Sequence, residues 1–247
     1  MLNNRINKLG VLVIGSLLSS IVFSTNGDVR TGPATQYTVT VKQVELCTSS
    51  ACTMAHTLVT KTSDMDIASA AVGASVGSYA STMTMPPMGV TYSHMRTTVD
   101  RTFTIKGYAL SASSGQYCYT DGSAGTKTAF AAGLNTTSAS TAASSATASA
   151  LELPNTGSGA VTLRYSGGTS TATVTYNSEI SLSGDDMLFT KELTTPYTYY
   201  GQTPLIDISF ATATGVGSVE AQGGDVDGDC NLMPGEPSMV MLMEIVT

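Results

Sequence analysis

The sequence predicts an all-β protein: an antiparallel β-sandwich, Ig-like or jelly-roll-like, with long loops and two disulfides. Three observations carry that prediction. Runs in which apolar or β-branched residues alternate with polar ones recur along the chain, the period of a half-buried strand. Breakers such as Met85-Pro86-Pro87-Met88-Gly89 and Gly184-Asp185-Asp186 separate the runs, as turns require. No segment of ten or more residues beyond residue 25 carries a capped 3.6-residue apolar period, so no long helix is expected.

In chain order, Tyr37, Val39 and Val41 alternate with Thr38, Thr40 and Lys42, giving a strand that runs to about Cys47. His56 to Lys61 returns as its hairpin partner. Val90–Val99 and Thr102–Lys106 both alternate and form the best core segment. Tyr117, Cys118 and Tyr119 precede an Asp121-Gly122 turn. Val161, Leu163 and Tyr165, then a Ser-Gly-Gly-Thr turn, then Ala172, Val174 and Tyr176 make a second hairpin. Ile180 and Leu182 continue it. Ile206, Ile208 and Phe210 share one face of a later strand.

One stretch departs from the pattern. Residues 131–150, AAGLNTTSASTAASSATASA, hold no charge, no aromatic ring and one large apolar side chain, Leu134. So little apolar surface does not offset the entropy of ordering, and an exposed low-complexity Ala/Ser/Thr loop is expected there. With no internal repeat and no charged linker, residues 25–247 read as a single domain.

Only 12% of the 247 residues are charged, and the net charge is −7. Nucleic acid and anionic membrane surfaces, which require basic patches, are excluded as partners.

The N-terminus has the three-part organisation of a secretory signal: Arg5 and Lys8, the apolar run of residues 11–23, then Val22-Phe23-Ser24 with compact residues at the cleavage positions. Residues 1–24 are expected to be removed. The apolar run is too short to span a bilayer, so the mature chain is expected to have no membrane span. Cleavage takes two basic residues, leaving nine against 18 acidic ones and a net charge of −9. Lys8-Leu9-Gly10 also resembles the cleavage site of type IV prepilins, although Gly15 stands where that family has glutamate. The expected location is secreted or cell-surface.

Four cysteines in an exported chain predict two disulfides. Three pairings are possible; the turn-like Thr-Ser-Ser-Ala between Cys47 and Cys52 favours a local bridge there, which would leave Cys118–Cys230 as the long-range bond.

The segment MPPMGVTYSHMR, a Pro/Gly turn entering a Tyr-x-x-x-Arg strand, resembles a motif of bacterial exported β-sandwich domains of cell-surface or pilus-like type. That resemblance covers about 25 residues and implies a fold, not an activity.

Near the C-terminus, Asp225, Asp227, Asp229, Asn231 and Glu236 fall at positions 1, 3, 5, 7 and 12 of a twelve-residue window. This series resembles an EF-hand or dockerin calcium loop, where alternate side chains turn inward on the ion and the last glutamate is bidentate. Leu232 matches the apolar position 8, while Cys230 replaces the expected glycine at position 6. Ca2+ is the expected cofactor if any is bound, with a disulfide-pinned acidic turn as the competing reading.

Catalytic frames are sparse. Gly73-Ala74-Ser75-Val76-Gly77 matches the nucleophile elbow of α/β hydrolases, but the chain has only His56 and His94 and no βαβ alternation around the match. No P-loop, GxGxxG or HExxH occurs, so no catalytic residue is assigned and no enzyme is expected.

The terminal run is the best functional clue. Met239, Met241, Met243 and Ile245 alternate with Val240, Leu242 and Val246, and only Glu244 is polar. A strand apolar on both faces is central in a sheet or covered by another subunit. The expected function is therefore an exported cell-surface structural protein, a self-assembling filament or pilus-like subunit. The alternative is a secreted glycan-binding module with a calcium site, using Tyr197, Tyr199 and Tyr200 as a stacking platform. Packing is the commoner use of such rings.

Overall fold

The computed structural model describes residues 22–24, 29–69, 83–111, 114–136, 138–154, 161–165, 168–176, 178–201, 204–219, 230–235 and 238–245. They form the mostly antiparallel, sandwich-like all-β fold that the alternation predicts. The organising element is one long strand.

That strand is β3, Ala34–Cys47, preceded by β1 (Val22–Ser24) and β2 (Val29–Gly32). Its hairpin partner β4, Ala55–Asp66, pairs with it from Thr38 to Cys47. Its other edge is shared by β5 (Thr91–Asp100) and β6 (Thr102–Leu110). Both run antiparallel to β3, so residues 91–110 are one continuous strand kinked at Arg101. Between the pairs Val41↔Val99 and Thr38↔Thr104 the β5–β6 side advances five residues against three on β3. Such an excess is a bulge, which bends a strand.

The kink lets the neighbours change. Along β5 the next strand is β13 (Asp186–Thr198), itself paired with β12 (Ile180–Ser183). Along β6 it is first β9 (Ser149–Glu152) and then β7 (Tyr117–Thr120). The large sheet continues from β7 through β8 (Ala131–Thr136), β16 (Cys230–Pro234) and β15 (Val216–Val219) to β2. A smaller sheet joins β1, β10 (Val161–Tyr165) and β11 (Gly168–Thr175).

The Ala/Ser/Thr-rich stretch 131–150 is not the loop expected from its composition. It forms β8, a short helix α1 (Ala139–Ser145) and β9. Its small residues are the reason. Ala131, Ala142 and Ser149 are buried where larger side chains have no room, and a Cβ on Gly133 would lie 2.5 Å from the Leu232 side chain. Neighbouring strands supply the apolar surface that the segment lacks. Ser138 caps the helix by accepting a hydrogen bond from the Thr141 amide.

Three apolar clusters fill the interior. The first gathers Tyr37, Phe103, Ile105, Leu151 and Leu232 around the Cys118–Cys230 bond. The second lies on β3, β4, β5 and β13, with Leu46, Leu58, Met95 and Tyr197. The third holds Val161, Leu163, Val174 and Met233. Tyr37 meets Phe103 edge to face, with centroids 5.6 Å apart, a favoured aromatic geometry.

Two elements remain, β14 (Pro204–Ala211) and β17 (Ser238–Ile245), which among the described residues pair only with each other. Their ladder extends that of β15 and β16. Pairing runs to Val216↔Pro234, the Gly235 amide donates to the Gly215 carbonyl, and pairing resumes at Ala211↔Ser238. Gly235 is required there, because a Cβ would lie 2.1 Å from the Thr214 carbonyl oxygen. The junction is tied to the start of β3. The Ala34 amide donates to the Thr212 carbonyl, and the Tyr37 hydroxyl donates to the Gly235 carbonyl at 3.0 Å.

Candidate functional site

Both predicted disulfides are formed, Cys47–Cys52 across the β3–β4 turn and Cys118–Cys230 between β7 and β16. Of the calcium-loop series, Asp225, Asp227, Asp229 and Glu236 lie outside the described residues, as do the serine of the hydrolase-like match and its neighbours. Asn231 is described. It is buried on β16, its amide oxygen accepts from the Arg164 amide at 2.7 Å, and its amide nitrogen donates to the Arg164 carbonyl at 2.9 Å. Its side chain is therefore committed to tying β16 to β10. Among the described residues no group of three or more His, Cys, Asp or Glu side chains is arranged to hold a metal.

The tyrosines do not form a platform. Tyr197 is buried in the second cluster and Tyr199 packs against it, while Tyr200 is 71% exposed. The histidines are spent locally. His56 Nε2 donates to the Thr84 carbonyl at 3.0 Å, and His94 Nδ1 lies 2.8 Å from the Ser93 hydroxyl.

For the terminal strand, the pairing register decides what sequence left open. Pro204↔Ile245, Ile206↔Met243, Ile208↔Met241 and Phe210↔Met239 are opposite one another. Directly paired residues share a face, so Met239, Met241, Met243 and Ile245 belong to a ribbon face that is apolar at all eight positions. The other face is mixed, with Leu205↔Glu244, Asp207↔Leu242, Ser209↔Val240 and Ala211↔Ser238. Among the described residues the only hydrogen-bonded neighbour of β17 is β14, so no strand is described along its second edge.

Sequence reasoning missed the charged clusters. Lys42 on β3 binds Asp186 and, at 3.1 Å, Asp100. The hydrogen bond with Asp186 leads in raising the Lys42 pKa, against partial desolvation. For Asp100, burial pushes the carboxyl up, but the Thr102 amide and Lys42 together outweigh it and hold the group below its usual range. The raised lysine contributes stability below its unfolded pKa that is lost as pH rises through the folded one. The depressed Asp100 contributes stability above its unfolded pKa that is lost as pH falls. Lys42→Met is therefore expected to flatten the plateau of melting temperature between roughly pH 4 and 10, with little difference from wild type beyond either end. A pH series of thermal melts checks this, and parallel curves for the two proteins would contradict it.

Arg101 is the other missed residue. It sits at the kink, fully buried. Its backbone amide donates to the Asp185 carbonyl and its carbonyl accepts from the Leu153 amide. Its guanidinium donates to the Leu153 carbonyl at 3.0 Å and to Glu152 at 3.5 Å, and lies 3.6 Å from Asp185. Lys127 also hydrogen-bonds Asp185 and holds that exposed carboxyl below the usual range. The signal in the sequence was the pair Asp100-Arg101 interrupting the alternation of residues 90–106.

No protein-family model matches the chain, and no curated protein or solved structure matches it significantly. Among the described residues no helix is long and apolar enough to cross a membrane.

Proposed function

We propose that the protein is an exported structural protein of the cell surface that self-associates through β17 into filaments. The edge of β17 that has no strand beside it among the described residues carries this reading. An apolar ribbon face is ordinary sandwich construction and needs no second molecule. An unpaired edge is different, because it presents a row of unsatisfied amides and carbonyls to any strand that approaches. Edges that avoid pairing carry lysine, proline or a bulge. β17 spans Ser238–Ile245 with eight consecutive paired positions, no lysine, no proline and one charge, Glu244. Strand addition between copies satisfies that edge. Export is supported by the signal-like N-terminus and by two formed disulfides, which persist in oxidising compartments.

Negative-stain microscopy of the exported chain is expected to show filaments, and Leu242→Lys to abolish them. The new side chain blocks the edge while sitting opposite Asp207, a favourable cross-strand pair, so the fold is expected to persist with an unchanged circular dichroism spectrum. A monodisperse monomer at high wild-type concentration would sink the proposal.

A further inference from the structure

We propose a second self-association surface, formed by three loops at one end of the large sheet, whose partner is the same surface of another copy. It rests on the assembly reading above and extends it. Two antiparallel β17 edges meet across a two-fold axis, and an isologous contact of that kind closes a dimer and stops. A filament built on it needs another interface elsewhere on the molecule.

The end of the sheet marked by Cys47 supplies one. Cys47 at the end of β3 is paired with Ala55, which begins β4, and with His94 on β5. Thr91, which begins β5, is paired with Thr198, which ends β13. The connections leaving these four strand ends therefore lie together. The first holds Met54, 68% exposed; the second holds Met88, 71% exposed, with Met85 beside it; the third holds Tyr200, 71% exposed. They account for four of the five exposed large apolar side chains among the described residues.

The loops are held in place. The Cys47–Cys52 bond closes the first, and the Thr48 amide donates to the Met54 carbonyl. Pro86 and Pro87 stiffen the second. The Gly89 amide donates to the Tyr199 carbonyl at 2.9 Å, joining the second to the third. A surface held by covalent and hydrogen-bonded ties loses little entropy on docking.

Charge selects the partner. Residues 48–54, 83–90 and 199–201 contain no Asp, Glu, Lys, Arg or His, whereas the chain as a whole carries a net charge of −7. Two copies of a chain with that net charge repel on approach. On this face they meet without opposed charges, and methionine thioethers adapt to each other. Exposed apolar groups clustered in one place mark such contacts.

Light scattering on a size-exclusion column tests the pair of interfaces. Met54→Glu with Met88→Glu adds charge at two exposed positions, where the fold tolerates change. Wild type is expected to elute as polymer, Leu242→Lys as dimer, the double methionine variant as dimer, and the triple variant as monomer. A double methionine variant that polymerises like wild type overturns this inference and leaves the β17 reading standing. A triple variant that remains dimeric also overturns it. Monomeric wild type overturns both.

Discussion

Replacing Cys118 and Cys230 with alanine together is expected to lower the free energy of unfolding by about 5 kcal/mol. The bond spans 112 residues, and the loop-closure entropy it removes from the unfolded chain is ~5 kcal/mol on the chain-entropy scale. Opening Cys47–Cys52, separated by 5 residues, costs only about 2 kcal/mol on the same scale. The two bonds differ in the folded protein as well. Cys118 and Cys230 are buried within the first apolar cluster, so alanine there also removes packing. Guanidinium titrations of the two double variants check the difference. The midpoint of the Cys118/Cys230 variant is expected to fall by more than twice that of the Cys47/Cys52 variant. Equal midpoints would contradict the argument.

Arg101→Ala is expected to cost about 3–5 kcal/mol, the range for breaking a buried charged contact by removing one partner. The loss has two parts. The Leu153 carbonyl and Glu152 lose their donor, and the aliphatic stem of a fully buried side chain leaves a void. Arg101→Met keeps most of the stem and removes only the charge, so its cost is expected to be smaller. A double-mutant cycle with Glu152→Gln separates the parts. The combined Arg101→Met/Glu152→Gln variant is expected to be more stable than the sum of the single losses predicts, because the second change removes the charge that the first exposed. Strict additivity would mean that Glu152 and Arg101 do not support each other. Among the described residues the Arg101 Nε atom has no hydrogen-bond partner, so the contacts described for the guanidinium are those of its other nitrogens. At the kink, β13 beside β5 gives way to β9 beside β6, and Arg101 reaches Glu152 of β9 and Asp185, the residue before β13.

Much of the fold was legible because alternation is a local property. A strand in a half-buried sheet must place apolar residues at every second position, so residues 37–47, 91–99, 161–165 and 206–210 declare themselves. The spacing of Cys47 and Cys52 is local too, and it fixed the second pair by exclusion. The stretch 131–150 was misread for the same reason. Its composition reports what the segment can bury by itself, and not the surfaces that β7, β16 and β6 bring to it. Small residues are ambiguous in sequence: they suit an exposed loop and a crowded interior equally well.

The candidate surfaces divide in the same way. The apolar character of residues 239–246 is a property of the sequence alone, and it singled out the final strand. Which of its faces matches an apolar partner, and that β14 is its only hydrogen-bonded neighbour among the described residues, depend on register and sheet order. Those are set by β14, β15 and β16 together with the disulfide at Cys230, and pairing partners far apart in the chain leave no local trace. Met54, Met88 and Tyr200 show the same limit most plainly. Each lies in its own turn, separated from the next by 34 and 112 positions, and nothing local to any of the three points to the others. The sequence determined that this chain would be β-structured, cross-linked and acidic, since those follow from residue type and spacing. Only the tertiary structure decided where exposed apolar side chains gather, because it alone brings the ends of β3, β4, β5 and β13 to one place.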